Sequence, residues 1–164
     1  MGCEISKPTL NEDEEERELP PCDYEGGCGC GAVRFTYAFS DEAKPIFNSI
    51  CHCQNCRRMN GTSPHLMAIP GSAFSISQGE ECMKCYDITE GFQRTYCEKC
   101  GVGIYQGPKG ANFVASYPAT FDVVNQQFPK DVPEIFQVKA QTNCENSWAK
   151  VFEGEEIGVR LPQY

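Results

Sequence analysis

Between Ala32 and Phe39 the chain reads AVRFTYAF, in which Val33, Phe35, Tyr37 and Phe39 alternate with Ala32, Arg34, Thr36 and Ala38. A period of two puts the first set on one face of a pleated strand, so the segment is predicted as a half-buried strand. Shorter β-rich runs follow at Ile46-Phe47 to Ile50, His65 to Ile69, Phe74 to Ser77, Phe92 to Tyr96, Asn112 to Tyr117 and Ile135 to Lys139. Gly71, Gly79, Gly91, Gly107-Pro108, Pro118, Pro129 and Pro133 punctuate the intervals, where the chain must turn. Helical periodicity is weak, with short turns predicted near Asn55–Asn60 and Glu145–Lys150. The expectation is a mainly antiparallel β domain over residues 22–164, without internal repeats. An arm of residues 1–21, ending at Leu19-Pro20-Pro21, precedes it.

Composition narrows the class. A chain of 164 residues and 18.3 kDa suffices for one domain with a proper core. A mean hydropathy of -0.45, with no apolar run near the ~20 residues of a spanning helix, argues against an integral membrane protein. The net charge of -9 opposes phosphate-backbone binding, so nucleic acid is not an expected partner. Part of that charge is local: Glu12 to Glu18 reads EDEEERE, a solvated acidic stretch within the arm. The arm shows no apolar signal-peptide core, so the expected location is cytoplasmic, with thiols reduced. Met1-Gly2-Cys3-Glu4-Ile5-Ser6 fits a myristoylation pattern, with Cys3 available as a second acylation site. Membrane attachment is expected only through those two residues, because one acyl chain alone binds marginally.

Twelve cysteines are the outlier. Three groups are tight: Cys28 and Cys30 in GGCGCG, Cys51, Cys53 and Cys56 in CHCQNC, and Cys97 and Cys100 in CEKCG. Close cysteine pairs in a reducing compartment point to metal. A C-x-C pair on a strand sends both sulfurs to one face and the middle residue to the other, so His52 is poorly placed to join Cys51 and Cys53 on one ion. Cys28, Cys30, Cys97 and Cys100 make a complete tetrahedral zinc set, and glycines 26, 27, 29, 31 and 101 allow the backbone to wrap it closely. Cys51, Cys53 and Cys56 make a set of three, the pattern of a catalytic zinc with one open position. On spacing alone a rival is equally good: Cys82-x-x-Cys85 could pair with Cys97-x-x-Cys100 as a zinc ribbon. Cys3, Cys22 and Cys144 are isolated and are read as non-ligands.

Three motifs in register resemble a known family. GxCxCGxVxF at Gly26–Phe35, CHCxxCRRxxG at Cys51–Gly61 and RxYCxxCG at Arg94–Gly101 stand in the order and at the intervals of the glutathione-dependent formaldehyde-activating enzymes, a family that includes centromere protein V. The resemblance covers roughly Cys22 to Trp148. It implies a β-tent fold with two zinc ions per chain and a generic carbon–sulfur lyase activity. Carried over by position, it puts a structural zinc on Cys28, Cys30, Cys97 and Cys100 and a catalytic zinc on Cys51, Cys53 and Cys56. Cys82 and Cys85 match positions that are usually apolar in the family. Many relatives carry Pro-x-x-His near the C-terminus, where this chain has Val132-Pro133-Glu134-Ile135.

The ligand set suggests the chemistry. Three thiolates leave a zinc site at a net charge of about -1, which blunts water activation and suits a soft substrate sulfur. The expected ligand is therefore glutathione or another small thiol adduct, of the S-hydroxymethyl type. Arg57 and Arg58, directly behind Cys56, are candidates to hold a substrate carboxylate, and His52 or His65 to move a proton. The alternative is a non-enzymatic zinc module that binds a protein partner, with both metals structural. Exchangeability of the second metal separates the two.

Overall fold

The computed structural model describes residues 24–125 and 132–146. The acidic arm, Gly2, Cys3 and Cys22 lie outside them; of the turn expected near Glu145–Lys150, Cys144–Asn146 forms a 3-10 turn and the rest lies outside the described residues. Among the described residues, ten strands and two short α-helices follow in chain order: β1 (Tyr24–Gly27), β2 (Arg34–Tyr37), β3 (Phe47–Cys51), α1 (Gln54–Asn60), β4 (His65–Pro70), β5 (Phe74–Gln78), β6 (Met83–Thr89), β7 (Phe92–Cys97), β8 (Gly103–Pro108), β9 (Phe113–Ser116), α2 (Asp122–Asn125) and β10 (Ala140–Thr142). β1, β2 and β5 form a small sheet in that order, and the other seven form a large one ordered β10-β3-β4-β9-β8-β7-β6. The mainly β expectation holds. One pairing departs from it, because β10 runs parallel to β3 whereas the other pairs are antiparallel. Among the described residues, no helix is long and apolar enough to cross a membrane.

The period-two reading of β2 is visible in burial. Val33, Phe35 and Tyr37 are fully buried, and the residues between them are partly exposed. They meet Phe74, Met67, Ile69, Ile104, Val114, Phe121 and Phe136 in one core between the sheets. Its centre is aromatic: Phe121 lies 5.1 Å from Phe35 and 4.9 Å from Phe136, centroid to centroid. Such tilted and edge-on rings add to the area they remove from water. Phe121→Ala is expected to destabilise the domain by about 3–5 kcal/mol, the usual cost of emptying a buried aromatic site. A urea titration checks this as a lower midpoint at unchanged slope.

Two expectations need correction. Ile135–Lys139 is not a strand: Glu134–Phe136 forms a 3-10 turn that drops Phe136 into the aromatic core, and the strand begins only at Ala140. Pro133, just before that turn, presets its own φ and the turn follows at once. Strands β1, β6 and β8 were not anticipated. Their Gly, Pro and Cys content reads locally as turn or metal ligand, and only pairing with neighbours makes them strands.

The large sheet separates two environments. Met67, Ile69, Ile104 and Val114 face the main core, whereas Leu66 and Tyr117 belong to a second cluster with Cys56. A register shift in the β7–β8 pair puts Thr95 opposite Tyr105 but Tyr96 opposite Gly103, leaving Ile104 as the extra residue. Ile104 and Tyr105 both pack on the main core as a result, and the alternation beyond them is reversed. Gln106 is thereby turned toward Cys56.

Candidate metal centre

The first cluster is built from two glycine-closed loops. After β1, Cys28 N–H donates to Val33 O at 3.0 Å, Gly31 N–H donates to Cys28 O at 3.0 Å, and Val33 N–H donates to Cys28 Sγ at 3.3 Å. After β7, Cys97 N–H donates to Val102 O at 2.9 Å and Gly101 N–H donates to Cys97 O at 2.8 Å. Both loops turn through a left-handed glycine, Gly31 at φ 74° and Gly101 at φ 77°, a backbone conformation that side chains with a Cβ resist. The loops face each other and bring the sulfurs of Cys28, Cys30, Cys97 and Cys100 within 4.8 Å of one another. Cys28 Sγ and Cys30 Sγ are 3.5 Å apart, and Cys30 Sγ and Cys97 Sγ are 3.8 Å apart. A tetrahedron of ~2.3 Å zinc–sulfur bonds has edges of about 3.8 Å, so the set has the dimensions zinc requires. Cys97 and Cys28 belong to the main core, and Cys30 and Cys100 lie at the surface.

The second cluster sits on the other side of the large sheet. Cys51 ends β3, and Cys53 caps α1: its Sγ accepts the Cys56 N–H at 3.4 Å, taking the place an oxygen usually holds at a helix start. One turn of helix then returns Cys56 beside the other two, and the three sulfurs also lie within 4.8 Å of one another. Cys56 is the buried member, packed on Leu66 and Tyr117, and Cys51 and Cys53 are half-buried. Gln106 Nε2 donates to Cys56 Sγ at 3.4 Å, and Asn143 Nδ2 donates to Cys51 Sγ at 3.6 Å from the opposite side.

The thiols in both clusters perturb one another. Burial raises Cys28, but the Val33 N–H and the thiols of Cys30, Cys97 and Cys100 outweigh it and bring it to about 6. Burial is the main cause that takes Cys97 up to about 12. In the second cluster, the Cys56 thiol is the largest influence on Cys51 and lowers it to about 5. The same bond, then burial, drives Cys56 far upward. Sulfurs this close cannot all ionise unless a cation lies between them, so both donor sets fit a thiophilic metal.

The remaining predicted residues scatter. His52 is 2% exposed, and its ring is bonded to side chains outside the cysteine cluster. Its Nε2 meets Gln141 Oε1 at 2.8 Å and its Nδ1 meets Ser63 Oγ at 2.9 Å. Arg57 Nε donates to His52 O at 2.9 Å, and Arg58 is exposed on α1. His65 is bonded to Asn48 Oδ1, and burial lowers its pKa. Cys82 and Cys85 stand outside both clusters, so the ribbon pairing is not formed. Cys82 is buried and free, whereas Cys85 is disulfide-bonded, a departure from the expectation of reduced thiols.

Sequence reasoning missed Gln106, Tyr117 and Asn143, which no motif marks. It read Arg94-Thr95-Tyr96-Cys97 for its cysteine alone. Arg94 lies on the opposite face of β7 from Cys97, with its guanidinium 5.6 Å over the Tyr117 ring and Nη1 donating to Met59 O at 2.9 Å.

Comparison with known proteins adds two findings. Residues 23–139 match the family model described as glutathione-dependent formaldehyde-activating enzyme. A crystal structure of a Rhodobacter sphaeroides protein, solved in a structural genomics programme, superposes with a TM-score of 0.52 at 18% identity. It covers 72% of this chain and 99% of that one, and the likeness carries the fold alone.

Proposed function

Because the chain belongs to the glutathione-dependent formaldehyde-activating enzyme family, we propose that it is a zinc-dependent carbon–sulfur lyase acting on an adduct of glutathione or a similar thiol. The adduct chemistry is of the S-hydroxymethyl type. The observation that carries this reading is the difference between the two clusters: four sulfurs gathered at the main core, three gathered on the other face of the sheet. Cys28, Cys30, Cys97 and Cys100 would hold a structural zinc, and Cys51, Cys53 and Cys56 a second zinc. Bound there, the second ion supplies a soft acceptor for a substrate sulfur.

The protein's own residues do the rest. Arg58, exposed on α1, and Arg57, anchored through Nε to the His52 carbonyl, take the substrate carboxylates. Gln141 Oε1 accepts from His52 Nε2–H, which leaves Nδ1 to accept from the Ser63 hydroxyl. His52 is buried, so it exchanges a proton with the ligand by way of Ser63. Residues 1–21 are an arm appended to this catalytic domain.

Metal content before and after dialysis against a weak chelator tests the proposal. Two zincs per chain falling to one are expected, with the remaining thiol-adduct cleavage lost in step with the second metal. A single zinc that never leaves would favour the structural module, and the search would then turn to protein partners.

A further inference from the structure

Behind the three-cysteine cluster lies a buried chain of polar contacts that the lyase reading does not use. Gln106, 2% exposed in mid-sheet, donates its Nε2–H to Cys56 Sγ at 3.4 Å. Its Oε1 accepts from the Tyr117 hydroxyl at 2.9 Å. A side-chain amide has two ends of similar size, and only one of them suits a thiolate. Were the amide flipped, Oε1 would set its lone pairs against the sulfur's negative charge. Tyr117 opposes this: with the amide as found, its buried hydroxyl proton has Oε1 as acceptor, whereas a flipped amide would turn an N–H toward the phenol and take that acceptor away.

Tyr117 is itself seated by Arg94. The guanidinium lies over the phenol ring and is tethered at Nη1 to Met59 O, at the end of the helix that carries Cys56. Gly103 makes the seat possible: a Cβ there would come within 2.7 Å of Arg94 Nη2 and 2.8 Å of Tyr117 Cε2. Arg94 Nε is buried with no hydrogen-bond partner, so the fold keeps a cation here at a desolvation cost.

We propose that Gln106 and Tyr117 are positioning residues for the three-cysteine centre: Tyr117 locks the Gln106 amide so that its N–H stays on Cys56 Sγ, and Arg94 is the fixed cation that seats the relay. A hydrogen bond from a buried partner fixes the orientation of a ligating group. Cys56, the buried sulfur of the three, is held in this way, and ligand exchange takes place on the side of the half-buried Cys51 and Cys53. The inference rests on metal binding by the three cysteines and not on the lyase chemistry.

The test uses the full chain loaded with cobalt(II), whose sulfur-to-metal absorption bands report each centre separately. Tyr117→Phe, Gln106→Leu and the double variant are compared by competition with a chromophoric chelator. Tyr117→Phe removes one oxygen and keeps the ring, so it preserves the packing if Gln106→Leu does not fold. Each single change is expected to weaken cobalt at the three-cysteine centre about 10- to 100-fold and to shift its absorption band. The double variant should be no weaker than Gln106→Leu, since members of one relay are not additive. The four-cysteine centre should be unchanged. Full affinity in Tyr117→Phe, additive losses, or equal weakening of both centres would each overturn the proposal. A parent chain that takes up no cobalt at Cys51, Cys53 and Cys56 would sink the functional reading with it, whereas uptake without a relay effect sinks this inference alone.

Discussion

Cys97→Ser is expected to leave the domain without a cooperative fold. Cys97 is fully buried in the main core, at the end of a strand paired on both sides, with β6 and β8. As a simple loss of packing the change removes almost nothing, because serine is nearly isosteric. As loss of a ligand to the proposed structural zinc it is severe. A structural zinc contributes about 10–16 kcal/mol of apparent folding free energy, and an entire domain is stable by only about 5–15 kcal/mol. The metal term is therefore as large as the whole stability of a domain. The geometry explains why nothing else compensates. The two loops are each held by short backbone hydrogen bonds, and they meet where Cys30 Sγ comes within 3.8 Å of Cys97 Sγ. Thermal unfolding followed by circular dichroism, with metal counted per chain, checks this. A variant that melts cooperatively within a few degrees of the parent without its metal would show that the aromatic core holds the fold alone.

Cys56→Ser should produce the opposite pattern, with activity lost and the fold kept. Cys56 is as buried as Cys28, yet its neighbours are the small cluster of Leu66 and Tyr117 and not the main core. Serine can still accept the Gln106 N–H, so no buried donor is orphaned and the stability cost stays at about 1–2 kcal/mol. Metal is expected to fall from two ions to one. Cleavage of a thiol adduct should fall by more than ~100-fold, since changes to supporting residues alone reach that size. Full metal content together with full activity would refute an open three-cysteine centre. Cys144→Ser serves as the comparison, because Cys144 is exposed, free and outside both clusters.

Much of this was legible in the residues in order. The alternation at Val33, Phe35 and Tyr37 identifies the buried face of β2 because strand side chains alternate whatever surrounds them. Cys53 and Cys56 could be grouped because a helix turn returns a residue three places on to its starting side. Gly31 and Gly101 could be assigned a wrapping role because a left-handed residue favours glycine in any context. These are local rules, and local rules survive folding.

Pairing between distant segments is not local. Spacing left Cys97 and Cys100 free to join either Cys28 and Cys30 or Cys82 and Cys85, and the packing of the β1 and β7 loops against each other made the choice. The strand after Phe136 is misread from sequence, because an aromatic slot formed by Tyr24 and Phe121 captures the side chain that a strand would have used. Gln106 is the sharpest case. Its facing depends on one extra residue at Ile104, a register slip that exists only once β7 and β8 have paired.

The amino-acid sequence by itself determined the strand character of the chain, the seven clustered sulfurs and the loops that present them, because each follows from backbone geometry over a few residues. Only the tertiary structure decided which sulfurs meet and which face of the sheet each cluster occupies. It also decided that Gln106, Tyr117 and Arg94 stand behind Cys56, since those contacts join segments that no short-range rule connects.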